Sequence, residues 1–480
     1  MRRSYLKRCL VVIVLTMSAG CSMAPQYQRP EAPVAKSFAD RYLEESTDLL
    51  ADGQTDVAGL GWRDVFVDPY LQRLIAKAVV NNRDLRIAAL NVEEYQAQYR
   101  IQRANQLPTV AADGTASKTR TLTGIEHTNV KNYTVNVGTT AFELDLFGRL
   151  QSLKDAALEQ YMAMEETQRS ATIALVSEVA RAYLTWIADL EQLRIAEDTV
   201  RIETESAGLV EERLKAGIAN ELELAQAYTS LESVRASLVS YRRLVAEDFH
   251  YLLLLTGVAS PAEIAADNGG VPFSETEPIA VLPSSLSSEV LLQRPDIMAA
   301  EHSLRAANAN IGAARAAFFP TLRLTATAGY ISSKLSNLID SSSGSYLLAP
   351  SVTVPIFTAG RLKAELDVAK IRTETSVATY EKTIQTAFRE VTDGLVGVQT
   401  YQEQLQAQKA NLEASQQYFQ HAERRYNEGL DSFLTLLDAQ RSLYISRQAY
   451  VSVKLGQLVN QVNLYAVLGG GWKENTVAAE

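Results

Sequence analysis

The sequence predicts a mixed α/β membrane protein in which a β-barrel, formed jointly by several copies of the chain, continues into a long tube of α-helices. Three observations lead to this fold class. The chain of 480 residues is a tandem duplication, in which the second copy repeats the first at a constant offset in residue number. Each copy contains two segments of about ten residues in which apolar and polar residues alternate, as in half-buried strands. Each copy then continues into a long proline-free stretch with the heptad spacing of a coiled coil.

The duplication is defined by pairs of identical residues that all keep the same separation. Six such pairs share an offset of 212 in the numbering: Asp84 and Asp296, Arg103 and Arg315, Pro108 and Pro320, Gly148 and Gly360, Gly217 and Gly429, and Gly257 and Gly469. A constant offset without insertion indicates duplication of a whole folding unit. We therefore assign repeat 1 to residues 61–259 and repeat 2 to residues 286–469. The proline-bearing residues 260–285 form the linker between them, and residues 470–480 form a C-terminal tail.

The N-terminus predicts secretion and lipidation. Residues 1–20 combine a basic start with an apolar stretch too short to span a bilayer, which is typical of a secretory signal peptide. The small residues that precede Cys21 resemble a bacterial lipobox, which implies S-diacylglycerol and N-palmitoyl groups on that cysteine. Ser22, in place of an aspartate, favours the outer membrane in this resemblance. An ordinary signal with an incidental cysteine is the alternative. Residues 21–60 would form a lipidated tether.

Composition limits the classes of partner and site. Removal of residues 1–20 leaves 42 basic against 56 acidic residues, a net charge of −14, which excludes nucleic acid as a partner. Cys21 would then be the single cysteine of the mature chain, so we expect neither disulfides nor a thiolate metal site. The four histidines share no ligand spacing, and neither a phosphate-binding loop nor a nucleophile motif is present. The sequence therefore predicts that the protein is not an enzyme and has no cofactor.

The strand-like segments predict a β-hairpin in each repeat, at about residues 109–144 and about residues 321–357. Apolar residues recur at every second position in the clearest segment: Leu322, Leu324, Ala326, Ala328 and Tyr330. Polar loops are expected at residues 122–131 and 332–345. This length and alternation are typical of strands in an outer-membrane barrel. A small soluble sheet packed on the helices is the alternative.

Four strands cannot close a barrel, and an open edge in lipid leaves backbone groups unpaired at a cost of several kcal/mol each. Several chains must therefore combine their strands. Three chains would supply twelve transmembrane strands, an even number within the known range of barrels. The sequence thus predicts a homotrimer embedded in outer-membrane lipid.

The long proline-free stretches predict two helical hairpins, at about residues 149–256 and 361–468. Each would turn at a glycine, Gly217 in repeat 1 and Gly429 in repeat 2, with Asp431 or Ser432 as the N-cap of the returning helix in repeat 2. Shorter helices are expected before each β-hairpin, at residues 69–80 and 84–106 and at their counterparts 287–292 and 296–318. A soluble coiled coil or helical bundle is the alternative for the long helices.

Several motifs identify a family that the chain resembles. They are the lipobox followed by Tyr27-Gln28-Arg29-Pro30-Glu31-Ala32-Pro33, then Arg294-Pro295-Asp296-Ile297, Phe318-Phe319-Pro320 and Pro355-Ile356-Phe357. The chain resembles the outer-membrane factors of tripartite efflux pumps, which are TolC-like channels, and among them the NodT-type lipoprotein branch that includes OprM. The resemblance implies a trimer whose twelve-stranded barrel continues into a periplasmic α-helical barrel. It also implies a periplasmic adaptor and an inner-membrane transporter of the resistance–nodulation–division class as partners, and a role in antibiotic resistance.

The resemblance also implies a gate at the periplasmic tip. Leu434 and Asp438 occupy the positions at which similar channels carry rings of leucine and aspartate, and their spacing places them on one helix face. Three carboxylates held close would repel one another or bind a cation. A negative charge that merely stabilises a helix N-terminus is the alternative for Asp438.

A gate lock is implied by the same resemblance. Tyr426 matches a tyrosine that ties the inner hairpin to its neighbour, and its expected acceptor is Glu223. Glu223 could instead belong to a capping box with Asn220. Asn427 stands where relatives can carry arginine, so one contact of the lock would be missing.

The implied function is a passive, gated exit duct for drugs and other toxic small molecules. The alternatives are the outer-membrane duct of a type I protein secretion system and a purely structural coiled coil of the envelope.

Overall fold

The computed structural model describes residues 22–35, 38, 59–123, 126–264, 273, 277, 279–280 and 288–476. The predicted signal peptide, Cys21, most of the tether and most of the linker lie outside these residues. The helices are α1 (Trp62–Val65), α2 (Pro69–Asn81), α3 (Arg83–Ala104), α4 (Arg149–Lys215), α5 (Glu221–Thr256), α6 (Pro295–Ala316), α7 (Arg361–Asn427) and α8 (Phe433–Val467). The strands are β1 (Ala111–Thr123), β2 (Glu126–Leu144), β3 (Thr321–Ser332) and β4 (Gly344–Thr353).

The chain divides into two compact units. The first comprises Met1–Glu31, Leu90–Glu165 and Ala299–Lys382, and it contains the sheet. The second comprises Ala32–Ala89, Glu166–Met298 and Thr383–Glu480, and it contains both hairpin turns. Each unit thus takes residues from both repeats.

The four strands form one antiparallel sheet in the order β1-β2-β3-β4. β1 pairs with β2 alone and β4 with β3 alone, so both edges of the sheet are unpaired within the described chain. A bulge interrupts the β2–β3 pairing between Thr139 and Phe142, and there the amide of Ala141 donates to the Thr325 hydroxyl at 3.0 Å. Bulges increase local twist, which helps a sheet to curve.

One face of this sheet is apolar and the other is polar. Ala112, Val137, Ala328 and Tyr346 form one row across all four strands on the apolar face. The next row on the other face consists of Asp113, Asn136, Gly329 and Ser345. The apolar side chains are exposed in the single chain, with 87% of the surface of Tyr346 accessible. A continuous, exposed apolar face is typical of a surface that contacts lipid or a partner.

The strands differ from the predicted ones at their ends. β1 begins two residues later than expected and continues to Thr123, and β2 already begins at Glu126, so the predicted loop at residues 122–131 is wrong. Antiparallel pairing extends these strands, from Ser117 opposite Asn132 to Thr123 opposite Glu126. β4 ends at Thr353, so residues 354–357 follow the strand instead of completing it.

The short helix predicted at residues 287–292 is a single 3₁₀ segment, Ser288–Gln293. Its counterpart α2 is capped by Asp68, whose carboxylate accepts from the amides of Tyr70 and Leu71.

The coiled-coil seam predicted in the first long helix forms core in the second unit. Val176, Ala180 and Tyr183 are buried, as are Ile173 and Ile187. Among the described residues, α4 is the one helix with an 18-residue window apolar enough to cross a membrane, but 67% of that window is buried inside the protein. Its apolar character is therefore explained by core packing.

In the first unit, the N-terminal segment is held by a buried carboxylate. Glu301 on α6 is 5% exposed and accepts from the Arg29 guanidinium at 2.6 and 3.0 Å, from Arg305 at 2.6 Å and from the Tyr27 hydroxyl at 3.1 Å. Burial alone would raise the pKa of Glu301, but its hydrogen bonds to the two arginines lower the pKa overall. This cluster fixes the start of the described chain against α6.

In the second unit, two carboxyls meet between α4 and α5. Asp189 and Asp248 are half-buried and interact with each other, and the Oδ2 atom of Asp248 has no other hydrogen-bond partner among the unprotonated groups of the described chain. Desolvation, together with the charge of Asp189, raises the pKa of Asp248 to about 6. Two carboxyls can hydrogen-bond only while one of them is protonated, so the pair shares a proton at mildly acidic pH.

This pair predicts a pH-dependent stability with a definite sign. Because the pKa of Asp248 rises on folding from 3.8 to about 6, the folded chain holds a proton that the unfolded chain has lost. The stabilisation of the folded state by this proton is complete below pH 3.8 and disappears as the pH rises through about 6. The free energy of unfolding should therefore decline by about 1 kcal/mol over this range, after allowance for solvent screening. We expect Asp248→Asn to remove this decline. Thermal unfolding across this range measures the decline. Glu232→Gln, which removes an exposed carboxylate from the same helix, is the control, and an unaltered slope in Asp248→Asn contradicts the prediction.

Candidate functional site

The two hairpin turns in the second unit have the same backbone structure. In repeat 1 the amide of Gly217 donates to the carbonyl of Leu214 and that of Ile218 to Arg213, both at 2.9 Å. In repeat 2 the amide of Gly429 donates to Tyr426 at 3.0 Å and that of Leu430 to Arg425 at 2.8 Å. Both glycines have φ of +75°, the left-handed conformation that terminates helices in this pattern. The glycines predicted at the turns therefore lie at them.

An apolar cluster joins the two hairpins next to these turns. Its buried members come from all four helices: Ala207, Val210, Ala227, Leu231, Tyr426, Phe433, Leu436 and Leu437. The rings of Tyr426 and Phe433 lie 5.7 Å apart within it. Because this cluster holds one hairpin against the other, we call it the tip cluster, and its packing sets the position of α8.

Leu434 and Asp438 lie outside the face of α8 that packs into the tip cluster. Leu434 is 60% exposed, and Asp438 is exposed one turn further along the helix. The carboxylate of Asp438 accepts from the Tyr418 hydroxyl at 3.1 Å. Asp438 is the sixth residue of α8, beyond the first turn, which weakens the alternative that its charge only stabilises the helix start. Both side chains are available to a surface outside the chain.

Tyr426 is buried in the tip cluster, with 4% of its surface exposed. Its hydroxyl has no hydrogen-bond partner of good geometry in the described chain. The guanidinium of Arg213 lies over its ring, 4.7 Å from the centroid. Burial raises the pKa of Tyr426, Arg213 counteracts this, and the nearby carboxylate of Glu223 adds to the rise.

The predicted hydrogen bond between Tyr426 and Glu223 is absent from the described chain. The amide of Glu223 donates to the Asn220 side chain at 2.9 Å, and its carboxylate accepts from the same side chain at 3.1 Å. Asn220 is the N-cap of α5. Within one chain, Glu223 therefore pairs with Asn220 as in a capping box, which was the alternative to a bond with Tyr426. Asn427 is exposed at the end of α7.

Sequence reasoning missed Arg213. Of the two residues predicted as the cap of α8, Ser432 is the N-cap, although its side chain makes no cap hydrogen bond. Asp431 instead binds Arg425 at 2.7 and 3.0 Å. Position 219, which is equivalent to 431, carries alanine. A comparison of the two turns for lost carboxylates would have drawn attention to Arg213.

The described residues contain no group of three or more His, Cys, Asp or Glu side chains that could hold a metal ion. Asp438 on its own offers one carboxylate. A cation site there would require further copies of the chain.

Comparisons with known proteins agree with this architecture. A family model described as outer membrane efflux protein matches residues 74–258 and again residues 286–470, so the two matches are separated by the same offset as the repeats. The probable efflux pump outer membrane protein TtgC of Pseudomonas putida is 46% identical over 484 residues, covering 99% of this chain and 97% of TtgC. The cation efflux system protein CusC of Escherichia coli is 41% identical and covers 97% of this chain and 98% of CusC.

Solved structures show the same fold. The open state of the MtrE outer membrane channel of Neisseria gonorrhoeae matches with a TM-score of 0.86 at 37% identity. The match covers 95% of this chain and 100% of the MtrE chain.

Proposed function

The chain belongs to the outer membrane efflux protein family, and from that premise we propose that three copies form the outer-membrane channel of a tripartite efflux pump. The family is one of transport channels, which confirms the predictions of an efflux protein of the outer membrane and of a non-enzymatic role. The relatives TtgC and CusC are named as efflux proteins, and this favours efflux over protein secretion and over a structural coiled coil.

The proposal of a trimer is based on the open sheet. β1 and β4 each have an unpaired edge, and the apolar face of the sheet is exposed. Pairing β1 of one copy with β4 of the next would satisfy both edges and, with three copies, give a closed barrel of twelve strands. The polar face would then line a water-filled interior, and the helices would form the periplasmic tube.

The gate would lie at the hairpin turns. In a trimer, Leu434 would form an apolar ring and Asp438 a carboxylate ring on the surface of α8 that is free in the single chain. Apolar constrictions close channels by excluding water, and three nearby carboxylates could hold a cation. Tyr426 would hold the inner hairpin in its closed position through its packing in the tip cluster. Glu223, which is engaged with Asn220, and the exposed Asn427 would contribute to the lock through contacts between copies of the chain.

The partners follow from the pump architecture. A periplasmic adaptor and an inner-membrane transporter of the resistance–nodulation–division class would deliver substrate and supply energy, since the described chain presents no nucleotide-binding motif. Relatives are named for toluene, antibiotic and cation efflux. We propose drugs and other toxic small molecules as the substrates of this chain.

Lipidation would add a second anchor to the membrane. Cys21 directly precedes the first described residue, Ser22, and Met23 accepts a hydrogen bond from Arg315 through its carbonyl at 3.1 Å. The proposed S-diacylglycerol and N-palmitoyl groups on Cys21 would be attached two residues before Met23 in the chain.

The proposal is tested by the mass and conductance of the purified protein. We expect detergent-solubilised protein to have the mass of three chains, and we expect it to insert into planar lipid bilayers as an ion-conducting channel with a mostly closed state. A water-soluble monomer that never conducts would refute the proposal.

A further inference from the structure

Two arginines, Arg213 near the end of α4 and Arg425 near the end of α7, have different partners. Arg213 and Arg425 occupy equivalent positions, each four residues before a turn glycine. Arg425 binds the carboxylate of Asp431 across its own turn, through two bonds of 2.7 and 3.0 Å. Arg213 instead lies over the ring of Tyr426, which belongs to the other hairpin. Equivalent residues thus make a contact within one hairpin in repeat 2 and between hairpins in repeat 1.

A single difference between the turns accounts for this. Position 219 corresponds to position 431, and it carries alanine where repeat 2 has aspartate. Ala219 packs against the tip cluster and offers no acceptor to a guanidinium. Because position 219 carries no carboxylate, and the Glu223 carboxylate accepts from the Asn220 side chain, Arg213 is free to reach Tyr426. The bidentate contact seen at Arg425 is the stronger alternative for an arginine, so its absence is what permits the stacking contact.

The contact between Arg213 and the buried ring of Tyr426 lies next to the helix that carries the proposed gate. Tyr426 is buried, and a cation over an aromatic face is worth more when the ring is removed from water. Tyr426 lies in the last turn of α7, and the ring of Phe433, the first residue of α8, packs against it. Leu434 follows Phe433 directly. A change in the position of Tyr426 is therefore transmitted through one packed ring to the helix that carries the proposed gate.

We propose that Arg213 is the positioning residue that holds the α7–α8 hairpin against the α4–α5 hairpin, and that alanine at position 219 is required for this role. The proposal rests on the proposed function, because it makes Arg213 a determinant of how long the gate stays closed. The contact between the Arg213 guanidinium and the Tyr426 ring would hold the two hairpins together, in place of the predicted hydrogen bond between Tyr426 and Glu223.

The first test restores the missing carboxylate. Ala219→Asp offers Arg213 the same partner that Arg425 has, and we expect it to draw the guanidinium away from Tyr426 and to raise the open probability in planar bilayers severalfold. Arg213→Ala should give the same result. Lys215→Ala is the matched control, because this exposed cation at the same helix end pairs with Glu211 at 2.9 Å and should leave gating unchanged.

The second test does not depend on conductance. In a double-mutant cycle of thermal unfolding, Arg213→Ala and Tyr426→Leu should be coupled by roughly a fivefold change in the folding equilibrium constant. Arg425→Ala and Tyr426→Leu should show no coupling. Zero coupling between Arg213 and Tyr426 overturns the proposal whatever the channel does. If the coupling is present but the protein never conducts, the proposed function fails while the contact stands.

Discussion

Replacement of Leu434 and Asp438 together by alanine is expected to convert a mostly closed channel into one with a large, steady leak. Leu434 is 60% exposed and Asp438 is exposed one turn later, both outside the face of α8 that packs into the tip cluster. In the proposed trimer the double substitution removes three isobutyl groups and three carboxylates from the narrowest point. If the constriction raises the barrier to ion passage by about 1.4 kcal/mol, its loss increases the current roughly tenfold. Conductance of the purified protein in planar bilayers measures this increase.

The duplication supplies a matched control for this experiment. Leu222 and Gln226 occupy the equivalent positions in repeat 1, and Leu222 is 66% exposed beside its own turn. Leu222→Ala with Gln226→Ala removes comparable side chains from the other hairpin and should leave the closed state intact. A leak in this variant, combined with normal closure after the Leu434 and Asp438 substitutions, would show that repeat 1 carries the gate.

Much of the helical architecture could be predicted because its determinants are local. Glycine at positions 217 and 429 adopts a φ that other residues avoid, so the turns follow from residue type alone. The absence of proline likewise permits the two 67-residue helices α4 and α7. The ends of β1 and β2 could not be predicted in this way. Residues 119–123 and 126–132, which are rich in threonine and asparagine, show no apolar alternation, and pairing between the two strands determines that they are extended.

The contacts near the hairpin turns likewise include local ones, which the sequence indicates, and contacts between hairpins, which it does not. The capping of α5 by Asn220 depends on residues three positions apart, and the sequence raised it as an alternative. The partner of Tyr426 depends on how two hairpins pack, which spacing within either hairpin does not determine. Arg213 and Tyr426 belong to different repeats and are distant in sequence, and a missing carboxylate at position 219 was the one local sign of their contact.

The second large effect is expected from a single methyl group in the sheet. Gly329 on β3 lies opposite Asn136 on β2, in the polar row that also contains Ser345. A Cβ atom at this position would stand 2.0 Å from the carbonyl oxygen of Val135 and 2.7 Å from the Cα atom of Asn136. Both are backbone atoms, so no side-chain rotation relieves the overlap and the two central strands must separate. We expect Gly329→Ala to cost about 3 kcal/mol, at the upper end of overpacking penalties.

This cost should appear as failed assembly as well as reduced stability, because every copy of the proposed barrel would carry the distortion and no edge could pair correctly. The fraction of protein that migrates as a folded oligomer on unheated gels, together with the thermal unfolding temperature in detergent, measures the effect. Gly114→Ala on β1 is the control, since within one chain its added methyl group meets no atom within 4 Å, and it should leave the thermal unfolding temperature unchanged. Equal behaviour of the two variants would mean that β2 and β3 do not approach as closely as the sheet requires, and the β2–β3 register on which the barrel rests would have to be revised.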